Sequence, residues 1–379
     1  QPLIQPLEDH MNNRGLKASR RIKITRKGWA ILVAITLIVL AAAGIIAISI
    51  LNADSPAKLS ELPFNSSTNY CYSGNGFYYF DGSELVLAET GNDEPTRMRV
   101  SSTEVKLAAS PSIGILYNTN AVHLINAAYP IELTGTVISA KCGSGHIAVL
   151  KEENNQSALM VFNSNSEQTD RMDFAQTSAL DFGFDTISGE TLWTLETDVS
   201  ASMPMSILTT YDTKKRATTG KINIQNQLVE DVAFTENSIF VIGTNHLIRY
   251  DRVKNTESYR ELCYGRKLVD YSVKGEYPLF VFSDRGDSSM SSVVLYRVKD
   301  TDVADTSTRR IQLPSNTLTV CAMGGRLVVV TTDAVLTYSN TGKPGATSQF
   351  ETPITGALKL SDSMLIVERQ GVLYQCNFS

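Results

Sequence analysis

Cysteine, histidine and tryptophan are scarce in this chain, and none is spaced for chemistry. The five cysteines (Cys71, Cys142, Cys263, Cys321, Cys376) form no CxxC pair, which excludes zinc-ribbon and thioredoxin-like motifs. His123, His146 and His246 fall in or beside three separate apolar runs, with no two at metal-ligand spacing. No serine sits in a nucleophile-elbow context. No glycine-rich phosphate loop precedes a helix, since the glycine turn at 143–145 lies between strand-like runs. The acidic stretches 89–94 and 302–305 lack the alternating ladder of a calcium loop. These absences leave no catalytic residue, metal or cofactor to name, and they weigh against an enzyme.

Charge is also missing from one long stretch. Between Gly28 and Ala53 no residue is charged, and Trp29 to Leu51 is an unbroken run of largely apolar residues. At about 1.5 Å per residue such a helix spans a hydrocarbon core of roughly 30 Å. Arg14, Lys17, Arg20, Arg21, Lys23, Arg26 and Lys27 precede it, and only Lys58 follows closely. The positive-inside rule then places residues 1–28 in the cytoplasm as a basic tail and the remainder outside, at the plasma membrane. A cleaved signal peptide would need an apolar region of only about 7–15 residues, so a retained signal-anchor at 29–51 is expected.

Beyond the span the balance of charge reverses. Residues 29–379 carry 27 basic and 37 acidic side chains, and no basic patch is present. Nucleic acid and anionic lipid are therefore not expected as partners of this part of the chain.

After a polar linker at 52–63, helical periodicity is absent. Short apolar runs alternate with Gly, Asn, Asp and Ser every eight to twelve residues or so, the pattern of all-β architecture. The runs repeat. An apolar strand, a tight turn and a second, more apolar strand recur as NYCYSGNGFYYF, SAKCGSGHIAVL, DVAFTENSIFVI, DYSVKGEYPLFVF, TVCAMGGRLVVV and GALKLSDSMLIV, with variant copies at 105 and 178. A third strand follows each, as in HLIRYDR and VVLYRVKD, and then a more polar fourth, as in RRIQLP. First strands beginning near 69, 105, 137, 178, 231, 268, 318 and 354 give the spacing of four-stranded propeller blades. Eight blades are expected over 64–379, with seven as the alternative. The last copy ends after three strands, and the segment Leu59 to Asn65 is free to supply its fourth, closing the ring and removing open edges.

The second and third strands resemble those of WD40-like and quinoprotein-like propellers. The layout of basic tail, signal-anchor and propeller resembles a family of single-pass membrane propellers of Gram-positive bacteria. The Gly-His and Trp-Asp pairs of WD40 blades are missing, as is the tryptophan motif of quinoprotein dehydrogenases, since Trp29 and Trp193 are the only tryptophans. The resemblance therefore implies the fold but no bound quinone.

Cys71 and Cys321 fall where the repeat elsewhere has Ala140, Ala233 and Ala357, so packing as small apolar residues is favoured. A Cys71–Cys376 bridge across the ring closure is the alternative. The interruptions 196–206 and 283–291 are candidate binding loops. They carry Met203, Met205 and Met290 as adaptable contacts, and Asp284, Arg285 and Asp287 around an Arg-Gly-Asp tripeptide. A rigid ring held outside the membrane on one helix favours a protein-binding or scaffolding module at the cell envelope. A sensor of a small ligand or wall glycan is the alternative, marked by aromatics and carboxylates gathered at one end of the channel. An enzyme is the third reading.

Overall fold

The computed structural model describes residues 59–89, 94–100, 105–175, 177–198, 203, 205–301 and 306–378. The expected span Trp29 to Leu51 and the basic residues from Arg14 to Lys27 lie outside them.

The described chain consists of eight four-stranded antiparallel sheets. In seven of them the strands follow chain order, at 70–99, 106–132, 136–174, 178–225, 229–262, 266–312 and 317–349. Numbered in that order they are blades one to seven. Blade eight takes three strands from 356–377 and its outermost from Leu59–Asn65, which pairs antiparallel with Val372–Asn377. The two ends of the domain thus share one sheet, and the ring closes as the repeat predicts. The first strands of blades one to four approach one another in turn, as do those of blades six to eight, so the first strands form the innermost layer around a central channel. They begin at Tyr70, Lys106, Thr136, Ser178, Val229, Arg266, Thr317 and Gly356.

The gradient in apolar character follows from position in the blade. Second strands are covered on both faces by neighbouring blades, so they read as continuous apolar runs; Ser238–Gly243 (SIFVIG) is buried at every residue. Outer strands are covered on one face only. Ser307–Gln312 (STRRIQ) accordingly buries Ile311 alone.

The apolar cores lie between blades rather than within them. Trp193, Leu208 and Ile222 of blade four pack on Val232, Phe234 and Val241 of blade five. The Phe240 and Phe280 rings meet at 5.0 Å between blades five and six. At the closure, Leu62 and Phe64 of the Leu59–Asn65 strand pack with Met364, Ile366, Phe77 and Tyr79. Phe64 lies 5.3 Å from Phe77 and 4.9 Å from Tyr79.

All five cysteines are free thiols, so the Cys71–Cys376 bridge is not formed. Cys376 is fully buried and Cys321 nearly so, in the same inter-blade core. The register of the repeat differs by one residue from the sequence alignment. Cys71, Ala233 and Cys321 occupy equivalent places on their inner strands, and the same place in blade three belongs to Lys141 rather than Ala140.

Candidate functional site

Strand direction alternates within each blade. The loop leading into each inner strand and the turn between second and third strands therefore fall on one face of the ring, the entry face. Backbone hydrogen bonds tie these loops together there: Arg285 N donates to Gly265 O at 2.9 Å, Leu313 N to Ser291 O at 2.9 Å, and Cys263 N to Asn245 O at 2.8 Å. The described residues of both candidate binding loops lie on this face.

The structure separates their residues. Met203 is 61% exposed. Met205 is not in the loop but opens the strand Met205–Asp212, where it pairs with Asp198 and Gln225. Met290, at φ 48, turns inward against the core between blades six and seven. Asp284 ends its strand and holds Arg310 at 2.8 Å. Arg285 is bound to Glu230 of blade five. Asp287 accepts hydrogen bonds from the backbone and hydroxyl of Ser289 (3.1 and 2.8 Å) and of Ser291 (both 2.7 Å). Those hydroxyls and amides hold its carboxyl well below the usual carboxylate range. Arg285 is thus engaged by the neighbouring blade and Asp287 by its own turn.

Sequence reasoning missed what the inner strands do at the channel mouth. In blades three to seven the inner strand carries one residue more than its partner, between Val137 and Ser139, Ala179 and Asp181, Val229 and Asp231, Leu268 and Asp270, and Thr317 and Thr319. Such bulges re-aim side chains. The extra residues Ile138, Leu180 and Leu318 remain exposed, Leu180 at 49%. Leu228 and Tyr264, on loops of the same face, are exposed as well, Tyr264 at 75%. On the opposite face, Tyr129, Ile187 and Val253 are exposed.

The residue after each bulge lines the channel wall, and in blades four, five and six it is an aspartate. Asp181 and Asp231 each accept the amide of the next residue, Phe182 N at 2.8 Å and Val232 N at 2.7 Å. Asp270 accepts Ala322 N of blade seven at 2.8 Å. Lys141 of blade three pairs with Asp181 at 2.7 Å, over the rings of Phe182 and Trp193. Lys359 of blade eight pairs with Asp270 at 3.1 Å and Asp362 at 3.2 Å. It also donates to Tyr271 O at 2.6 Å. Asp231, between these two pairs, has no ion-pair partner among the described residues. Burial pushes its carboxyl up to about 6, with Asp181 and Asp270 adding to the rise and Lys141 opposing it.

Two adjoining cavities occupy this region. One of about 690 Å³ is lined by Asp231, Asp270, Tyr271 and Lys359 among others. The other, of about 410 Å³, is lined by Lys141, Trp193, Phe234 and Tyr271 and by Cys71 and Cys142. Both thiols are pushed upward by burial, Cys71 to about 12, which keeps them protonated and unreactive. Among the described residues no cluster of three or more metal-ligating side chains occurs. His123 Nε2 instead meets Ala127 O at 3.0 Å. The spacing of Asp181, Asp231 and Asp270 one residue after each bulge is visible in the repeat (ALDF, EDVAF, VDYS) once the blades are in true register; their convergence is not.

No protein-family model and no curated protein matches the sequence. Solved structures match the fold. BamB from Moraxella catarrhalis is similar at a TM-score of 0.53 and 9% identity, over 85% of this chain and all of that one. The WD40 domain of SCAP from fission yeast is similar at 0.56 and 9% identity, over 85% and 98% of the two chains. The C-terminal WD40 domain of Sif2 gives 0.53 and 11%, over 86% and 99%. At these identities the likeness establishes the architecture alone: the described chain is an eight-bladed β-propeller.

Proposed function

We propose that this chain is a single-pass membrane protein whose propeller, held outside the cytoplasm, binds a protein partner at the cell envelope through its entry face. The observation that carries this reading is the set of inner-strand bulges that leave Ile138, Leu180 and Leu318 exposed around the channel mouth. Large apolar side chains exposed around the channel mouth favour an association surface there, and Tyr264 and Met203 add an aromatic anchor and an adaptable contact to it. The uncharged run Trp29 to Leu51 and its basic N-terminal flank support the anchoring and the orientation. So does the resemblance to single-pass membrane propellers of Gram-positive bacteria.

The test is photo-crosslinking in the native membrane from probes at Leu180 and Leu318, with Val253 on the opposite face as control. One discrete partner is expected from the entry face alone, and the double substitution L180D/L318D is expected to abolish its capture. Equal capture from both faces, or capture indifferent to the charges, would overturn the reading.

A further inference from the structure

The repeat supplies an internal comparison inside the channel. Asp181, Asp231 and Asp270 stand at the same place on three successive inner strands, each one residue past a bulge. Two of the three are neutralised by a lysine from another blade, Lys141 at 2.7 Å and Lys359 at 3.1 Å. At the third the corresponding volume is cavity, bounded by Tyr271, Thr186 and Ile187.

The surroundings define what would fit. Around Asp231 stand Lys141 and Asp181 from blades three and four, Asp270, Tyr271 and Lys274 from blade six, and Lys359 and Asp362 from blade eight. Lys141 and Lys359 are already committed to other carboxylates, and with Lys274 counted three ammoniums stand against the four carboxylates Asp181, Asp231, Asp270 and Asp362. The charge left over is negative, so the site rejects anions. The adjoining cavity, which shares Tyr271 and Thr186, adds the apolar and aromatic walls of Trp193, Phe234 and Val232. A cavity of this size holds a small organic molecule, and a carboxylate beside aromatic rings selects an ammonium over a neutral polar group.

We propose that the channel binds a small aliphatic amine, whose ammonium seats at Asp231 as the lysine ammoniums seat at Asp181 and Asp270, with its methylene body along Tyr271 and Phe234. This site lies inside the ring and uses none of the entry-face residues, so it stands or falls separately from the docking reading.

The experiment is isothermal titration of the full chain, in neutral detergent at pH 7.5, with 1,5-diaminopentane as the probe. Saturable one-to-one binding is expected, with 1,5-pentanediol giving none. D231N, shown to be folded by circular dichroism, is expected to weaken binding at least tenfold, and V253D on the outer surface to leave it unchanged. Because the site needs the ionised carboxylate, affinity is expected to fall when the titration is repeated at pH 5. No heat with millimolar diamine, or equal affinity in D231N, would overturn the proposal.

Discussion

Arg252 of blade five reaches Asp185 of blade four at 2.9 Å, and the carboxylate it meets has no exposed surface. Asp185 also accepts Ile187 N at 2.9 Å, Ser188 N at 2.6 Å, the Ser188 hydroxyl at 2.9 Å and Thr191 N at 3.2 Å. One side chain therefore shapes its own turn and latches the next blade to it.

Removing that carboxylate takes the ion-pair partner from a partly buried guanidinium and the acceptor from several amides at once. Asp185→Ala is expected to lower stability by about 3–5 kcal/mol, read from the shift in urea midpoint. Burial alone would raise the Asp185 pKa, but the Ser188 amide, the Thr191 and Ser188 hydroxyls and Arg252 outweigh it and hold it low. A depressed folded-state pKa contributes stability above the unfolded value of about 4, lost as pH falls through the folded one. The cost of the substitution should accordingly shrink in acid.

Asp231 has the opposite sign. Its folded-state carboxyl sits at about 6, above the unfolded range. The native state is therefore best served when Asp231 is protonated, and that contribution is lost as pH rises through about 6. Asp231→Asn is expected to stabilise the protein at pH 8 by on the order of 2 kcal/mol, and to gain little at pH 4. Paired thermal melts across that range read the difference directly.

The closing strand offers a third measurement. Phe64 is buried against Phe77 and Tyr79, and its truncation leaves a cavity at the seam. Phe64→Ala is expected to cost about 3–5 kcal/mol. Amide exchange should quicken first at Val372–Asn377, the strand that pairs with Leu59–Asn65, before it does in blades three to six. Uniform acceleration around the ring would show that the seam is no weaker than the rest.

Membrane orientation is testable against a quiet thiol background. Burial raises Cys263 to about 11 and Cys321 and Cys376 to about 12. The native cysteines are therefore expected to label slowly with an impermeant maleimide. Val253→Cys, at a site 88% exposed, should label in intact cells, and Ser19→Cys only after permeabilisation. The reverse pattern would invert the proposed topology.

Blade number, strand order and the closing role of Leu59 to Asn65 were legible because they depend on local patterning and on a count of repeats. The apolar second strands were legible for the same reason, since burial on both faces writes itself into consecutive residues. The bulges were not. An extra residue such as Leu180 looks like any strand residue until its partner strand shows that Ala179 and Asp181 face consecutive residues. Reading the copy in blade three one residue out of register put Ala140 where Lys141 stands and hid that lysine among the small residues of the repeat. Met290 read as a loop contact because sequence shows polarity around it, whereas the tight turn built by Asp287 carries it back into the core. Lys359 and Asp270 are 89 residues apart, and only the arrangement of blades six to eight around the channel brings them together.

The seam has a mechanical meaning. The strand that completes blade eight is also the first described element met by force applied to the chain from the N-terminal side of Leu59. Tension along the chain there loads the Leu59–Cys376 pairing before any other sheet, and its release would open the ring at one joint with seven blades still intact. The closing strand is thereby the natural breakaway point of the whole domain.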